Sequence, residues 1–317
     1  MHMSTTSTPP PSETGQADWV LNDRAVVVER HALDWLHQFD LTPDPETRAR
    51  VERINAGAAF AMLFPQAPPD VLELAGDVMV WITAFGDVLV DGCDRRTGDL
   101  TRLTLHLNET LHATTSRRAG DQTGFVAALE DLLTRSAAIL PHRHHSRLAK
   151  ALTAFIAAQN WHVDIESATS PPSVADYLVA RRHTVAAWSL VALLEPLEHS
   201  RFPAEIHDVP EVGELNTTAC TLLACVNDLA SHRKEHRSGD TAITLPTLLM
   251  HERRCSLDES ISIISAMCET ETARAHETIA HLKTTHDRHV GEYGDVVGNL
   301  VGYFASWHTV VAADRYR

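Results

Sequence analysis

Asn227, Ser231 and Glu235 are three oxygen donors at positions i, i+4 and i+8 of the stretch Val226-Asn227-Asp228-Leu229-Ala230-Ser231-His232-Arg233-Lys234-Glu235. The apolar run that begins near Leu215 reads as helix, and at about 100° per residue the three project within an arc of roughly 80°. An amide oxygen, a hydroxyl and a carboxylate stacked along one groove suit Mg²⁺, which takes oxygen ligands and keeps several waters or substrate phosphates besides. Arg233 and Lys234 flank the carboxylate and are placed to hold an anion that bridges to the metal. Each residue alone reads as a polar face turned to water. Together they do not, because Asn and Ser are indifferent helix formers and sit here among Leu222, Leu223, Cys225, Val226 and Leu229.

A second acidic face lies far upstream. Asp87, Asp91 and Asp94 fall at i, i+4 and i+7 at the end of an apolar run from Val71 through Val90. Like charges on one helix face cost roughly a few tenths of a kcal/mol per pair. They also sit far from the helix N-terminus, where the dipole would favour them. A metal ion relieves both problems; a frayed end with three solvated aspartates is the plainer alternative.

Between the two acidic stretches, Arg181-Arg182 interrupts the apolar segment Tyr177 to Trp188. A charged head group there is costly unless it finds an anion, or unless the pair merely caps the surface near Glu166 or Asp176. The sequence ends in Asp314-Arg315-Tyr316-Arg317, after a stretch holding Tyr303, Phe304 and Trp307.

The elements that must position these residues read as helices throughout. They are expected at Trp19–Gln38, Arg48–Phe64, Val71–Val90 with Asp70 as N-cap, Leu100–Thr114, Gly124–Ile139, Arg147–Glu166, Ser173–Leu194, Pro210–Glu235, Ala242–His251, Leu257–His289 and Tyr293–Arg317. Prolines fall mostly between these segments, and strand alternation and hairpin turns are almost lacking. One all-α domain over residues 19–317 follows, ten or more helices around a central cavity, preceded by a Ser-, Thr- and Pro-rich arm over residues 1–18 that reads as disordered. His142-Arg143-His144-His145 is expected to be a solvated helix start or loop.

Composition sets the remaining bounds. Of 317 residues, 44% are apolar and 22% charged, which is ample for a globular core, and a net charge of −15 argues against nucleic acid or an anionic membrane as main partner. The five cysteines form no CxxC pair and read as buried free thiols. No run of about 18 uncharged apolar residues indicates a membrane span, and no signal peptide is evident, so the expected location is the cytoplasm.

Asn-Asp-x-x-Ser-x-x-Lys-Glu resembles the second metal-binding motif of class I terpene cyclases, and the acidic end of the 71–90 run resembles that family's aspartate-rich motif. The family pattern opens with two adjacent aspartates and a third acid three or four residues on. Here Gly86 stands in the first place if Asp87 is the second, or Val88 in the second if Asp87 is the first. Either way one aspartate is missing. The resemblance covers about residues 20 to 317 and implies a bacterial class I terpenoid synthase-like helical bundle. It also implies three Mg²⁺ ions (Mn²⁺ as an alternative), no stable membrane insertion and a homodimer.

By the same resemblance Asp87 and Asp91, with Asp94 as a weaker candidate, hold one part of the metal cluster, and Asn227, Ser231 and Glu235 another. Arg181, 46 positions before Asn227, becomes the diphosphate sensor, and Thr184 and Val185 the linker and effector at a helix break. Lys234, Arg315 and Tyr316 complete the diphosphate contacts. Phe60, Phe64, Trp81, Phe85, Phe155, Trp161, Trp188 and Trp307 are candidates for the aromatic wall, with Phe85 and Trp307 favoured by their places beside the motifs. The implied reaction ionises a linear isoprenyl diphosphate in a dry pocket, with metal and arginine charge on the leaving group and aromatic faces toward the cation. Small residues at the break (Val185, Ala186, Ala187) favour geranylgeranyl over farnesyl diphosphate. A chain-elongating prenyl transferase would carry a second aspartate-rich motif in place of the triad. A non-catalytic isoprenoid-binding helical protein is the other rival, and Gly86 is its best support.

Overall fold

The computed structural model describes residues 23–91, 97–112, 124–168, 170–198, 202–237 and 243–307. These form thirteen α-helices, with no strand among the described residues. They are α1 (Asp23–Gln38), α2 (Pro45–Glu52), α3 (Ala56–Leu63), α4 (Pro69–Phe85), α5 (Thr97–His112), α6 (Gly124–Ile139) and α7 (His142–Ser167). Then follow α8 (Val174–Thr184), α9 (Ala187–Leu197), α10 (Pro210–Arg237), α11 (Leu245–Arg253), α12 (Leu257–Thr285) and α13 (Arg288–Ser306).

Helix α4 is apolar on nearly every side and is buried accordingly, against α1, α3 and α6. Its Asp77 is fully buried, and a buried carboxylate must be paired. Arg135 of α6 donates to it at 2.6 Å and the His31 ring of α1 lies 3.0 Å away, so one charge joins three helices. Helices α1 and α3 approach so closely that a Cβ on Gly57 would lie 2.5 Å from the Val28 carbonyl oxygen. Only glycine fits there.

The helix starts have local causes. Asp44 accepts from the Thr47 amide ahead of Pro45, while Thr244 and Ser256 form capping boxes on α11 and α12. Asp70 does not cap α4: Pro68 is the N-cap and Asp70 lies in the first turn. The single helix expected over 48–64 is two, because Asn55 takes φ 51° and ends α2 before α3 starts. Asparagine tolerates that left-handed backbone better than most residues. The last two helices divide at Asp287, whose carboxylate caps α13 by accepting from the His289 and Val290 amides.

His142–His145 is a helix start, as expected, with His142 and Arg143 exposed, but it is not solvated throughout. It is the first turn of α7, His144 is 3% exposed, and His145 Nδ1 lies 2.8 Å from Ser136 Oγ. Buried Glu195 of α9 meets Arg147 of α7 here, and His207, in the 3₁₀ turn Ala204–Asp208, lies 2.6 Å from the same carboxylate. Nearby, Tyr293 of α13 donates to Asn216 of α10 at 3.0 Å. These residues occupy the starts of α7, α10 and α13 and the end of α9. The triad stretch is at the other end of α10.

Candidate active site

Helix α10 carries Asn227 and Ser231 on the face that periodicity assigns them, and Glu235 and Lys234 lie on its last turns. The side chains of Glu235 and Lys234, together with Asp94, Arg315 and Tyr316, lie outside the described residues. Ser231 is 6% exposed, and its hydroxyl has no hydrogen-bond partner among the described residues. Burying a hydroxyl unpaired is unfavourable, and a cation at this face would satisfy it. No group of three His, Cys, Asp or Glu side chains converges as a metal site among the described residues. The amide, hydroxyl and carboxylate of the triad are hard donors, and they fit a divalent ion.

Arg181, on the last turns of α8, reaches this face. Its Nη2 donates to Asn227 Oδ1 at 2.7 Å, its Nε to Asp228 Oδ1 at 2.7 Å, and its Nη1 to Thr184 Oγ1 at 3.3 Å. Asp228 is fully buried, and its second oxygen accepts from the Tyr177 hydroxyl at 2.7 Å and the Leu245 amide at 2.9 Å. One carboxylate thus joins α8, α10 and the first residue of α11. Asp228 and Tyr177 were not assigned roles from sequence, although the signal was there. A carboxylate on the apolar side of a helix demands a partner, and Tyr177 lies four residues before Arg181 on the same face.

The helix break falls where expected, but its strained residue is not Val185. α8 ends at Thr184, Val185 keeps φ −82°, and Ala186 takes φ 58° before α9 begins. Left-handed backbone costs an alanine about 1–2 kcal/mol, so the surrounding packing must hold the turn. Gln159 of α7, itself 3% exposed, donates to the Thr184 carbonyl at 3.1 Å. Just past the turn Trp188 stacks on His183, with ring centroids 6.3 Å apart. Burial, then the neighbouring Arg182 charge, holds the His183 imidazole below its ordinary pKa.

The aspartate-rich end of α4 is wound as a π turn over Gly86–Val90, the Asp91 amide donating to the Gly86 carbonyl at 2.9 Å. Such single turns of wider helix recur at functional sites. Asp87 is 3% exposed and accepts from Arg50 Nε of α2 at 3.1 Å, while Asp91 is exposed. The pairing with Arg50, 37 positions away, had no signal in the sequence. A Cβ on Gly86 would meet nothing within 4 Å.

The aromatic candidates separate into distinct places. Phe60, Phe64 and Trp307 line an apolar crevice with Leu190, Tyr303 and Phe304, enclosing about 30 Å³, room for one or two waters. Phe85 does not join them. It is fully buried among Trp81, Phe125 and Phe155, because it follows Trp81 by one helical turn and faces α6 and α7. Trp161 packs in a smaller core with Tyr177, Cys225 and Leu245.

The all-α bundle thus sets the Arg181 guanidinium against Asn227 on the same helix face as the Ser231 hydroxyl, unpartnered among the described residues, an arrangement suited to an anion that carries a metal ion. The chain belongs to the class I terpene synthases, since the family model described as "Terpene synthase family 2, C-terminal metal binding" matches residues 77–274. As a member it is a terpene cyclase, a lyase of isoprenyl diphosphates that uses divalent metal. Similar relatives include the (12E)-labda-8(17),12,14-triene synthase of Streptomyces anulatus, 30% identical over 92% of this chain and 89% of that protein. The labda-7,13(16),14-triene synthase of Streptomyces clavuligerus is 30% identical over 92% of this chain and 83% of its own. The fold is shared with the linalool/nerolidol synthase of Streptomyces clavuligerus bound to 2-fluorogeranyl diphosphate, at TM-score 0.79 and 19% identity, over 91% of this chain and 100% of that one. No helix among the described residues is long and apolar enough to cross a membrane.

Proposed function

We propose that the chain ionises and cyclises geranylgeranyl diphosphate in preference to farnesyl diphosphate, releasing diphosphate, with Mg²⁺ as its ion and Mn²⁺ as a substitute. The observation that carries this reading is the 2.7 Å approach of Arg181 to Asn227 beside the orphaned hydroxyl of Ser231. A cationic side chain for the leaving group and oxygen donors for a metal share one face. Bound Mg²⁺ supplies charge that stabilises the departing diphosphate. Asn227, Ser231 and Glu235 would hold one ion, and Asp87 and Asp91 would contribute carboxylates to the metal cluster. Arg181, Lys234, Arg315 and Tyr316 bind the diphosphate oxygens. Phe60 and Trp307, which line the apolar crevice, would shelter the isoprenyl chain and exclude water from the cation. The two relatives named for labdane trienes, both C20 skeletons, favour the longer substrate.

Those two names favour a second reading as well: the C20 chain arrives already as a labdane-type bicycle, and ionisation with loss of a proton completes the triene. The test is diphosphate release from farnesyl, geranylgeranyl and a labdane-type bicyclic diphosphate in parallel, with Mg²⁺, followed by mass analysis of the extract. A cyclic C20 product from the linear substrate is expected. Turnover of the bicycle alone moves the second reading to the front, and a C15 product overturns the chain length. A longer linear diphosphate formed with isopentenyl diphosphate makes the protein an elongating transferase. No turnover at all leaves a binding protein.

A further inference from the structure

Asn227 offers a cation one side-chain atom, Oδ1, since its nitrogen is a donor only. That oxygen already accepts from Arg181 Nη2 at 2.7 Å. Two lone pairs would in principle admit both partners. Charge decides otherwise, because a dication at an oxygen-ligand distance of about 2.1 Å would stand close against the guanidinium. The guanidinium is held firmly. Asp228 binds its Nε, and Asp228 is itself fixed by Tyr177 and Leu245, so Arg181 has no need of Asn227 to satisfy its charge. The contact to Asn227 is the part of the network that can be given up.

We propose that Arg181 is a latch on Asn227: without diphosphate it occupies the amide oxygen that the triad needs and keeps divalent metal affinity low. Diphosphate, an anion able to face both charges, draws Nη2 away while Asp228 keeps the arginine tethered. Metal and diphosphate are then taken up as a unit, and the metal is not stored at the empty site. This rests on the reading that the triad holds the ion.

Mn²⁺ binding to the full-length chain without diphosphate, followed by electron paramagnetic resonance, tests the latch in four proteins: the parent, Arg181→Lys, Asn227→Ala and the double variant. Lysine keeps the positive charge and loses the fork that reaches both Asn227 and Asp228, so simple charge repulsion predicts no change. The latch predicts at least five-fold tighter Mn²⁺ binding by Arg181→Lys, and no such gain when Asn227 is already alanine. Unchanged or weaker binding by Arg181→Lys overturns the latch, as does a gain that persists in the double variant. If Asn227→Ala alters Mn²⁺ affinity in neither background, the triad reading fails and takes the latch with it. Circular dichroism melts of all four proteins show that each comparison is between folded chains.

Discussion

Gln159 of α7 donates its side-chain amide to the backbone carbonyl of Thr184 at 3.1 Å, across 25 positions of sequence. The bond ends α8 from outside and fixes the turn that follows. Gln159→Leu keeps the volume but leaves a buried carbonyl unpaired, at a cost of about 1–3 kcal/mol. A lowered Tm is expected, together with a broader product mixture, since the turn borders the crevice through Leu190. A variant with a parent-like Tm and product pattern would show the bond to be incidental.

Ser231→Ala separates fold from function. The hydroxyl is buried without a partner among the described residues, and alanine is the better helix former. Thermal stability should hold or rise, while Mn²⁺ affinity in the presence of diphosphate should fall several-fold. Loss of both together would mean that the hydroxyl is structural.

Gly86→Asp restores the absent acid of the aspartate-rich stretch. Its Cβ enters open space and its φ of −59° is ordinary helix, so the fold should tolerate the change. Titration with Mn²⁺ and diphosphate should show tighter binding than in the parent chain. Equal affinity would mean that Asp87 and Asp91 already satisfy that side of the site.

Acid should weaken the buried cluster at the other end of α10. Burial alone would raise the Glu195 pKa, but the His207 hydrogen bond and the charges of Arg147, His207 and His144 together hold it below the usual 4.5. A depressed pKa gives stability that is present above the unfolded value and lost as pH falls through the folded one. His144 acts in the same direction at a higher pH, because burial chiefly, despite Glu195, keeps its pKa below 6.5. Tm should therefore begin to fall below about pH 6.5 and fall further below about pH 4.5. Glu195→Gln leaves Arg147 and His207 without their anion and should cost about 3 kcal/mol, flattening the lower of the two steps.

Much of this architecture is legible in the sequence because helical period and proline placement need no knowledge of neighbours. Gly124–Ile139 is helical over those same residues, and the triad, the arginine and the break all lie on or between the helices assigned to them. What escapes is anything decided by a contact. Asn55 turns left-handed at a point where apolar periodicity continues without interruption. Arg50 meets Asp87 only because α2 folds against the end of α4, and Phe85 leaves the crevice because α6 and α7 bring Phe125 and Phe155 to it. The missing aspartate is visible as Gly86. Its consequence is not, since the space around that Cβ belongs to the fold.

The ring pair His183–Trp188 straddles the left-handed turn at Ala186, one partner on α8 and the other on α9. Any rotation about that turn must shear the stack, and indole emission responds to such a change in its surroundings. The chain therefore carries an intrinsic optical gauge at the hinge between those helices. Stopped-flow fluorescence of unlabelled protein could time the movement against release of diphosphate.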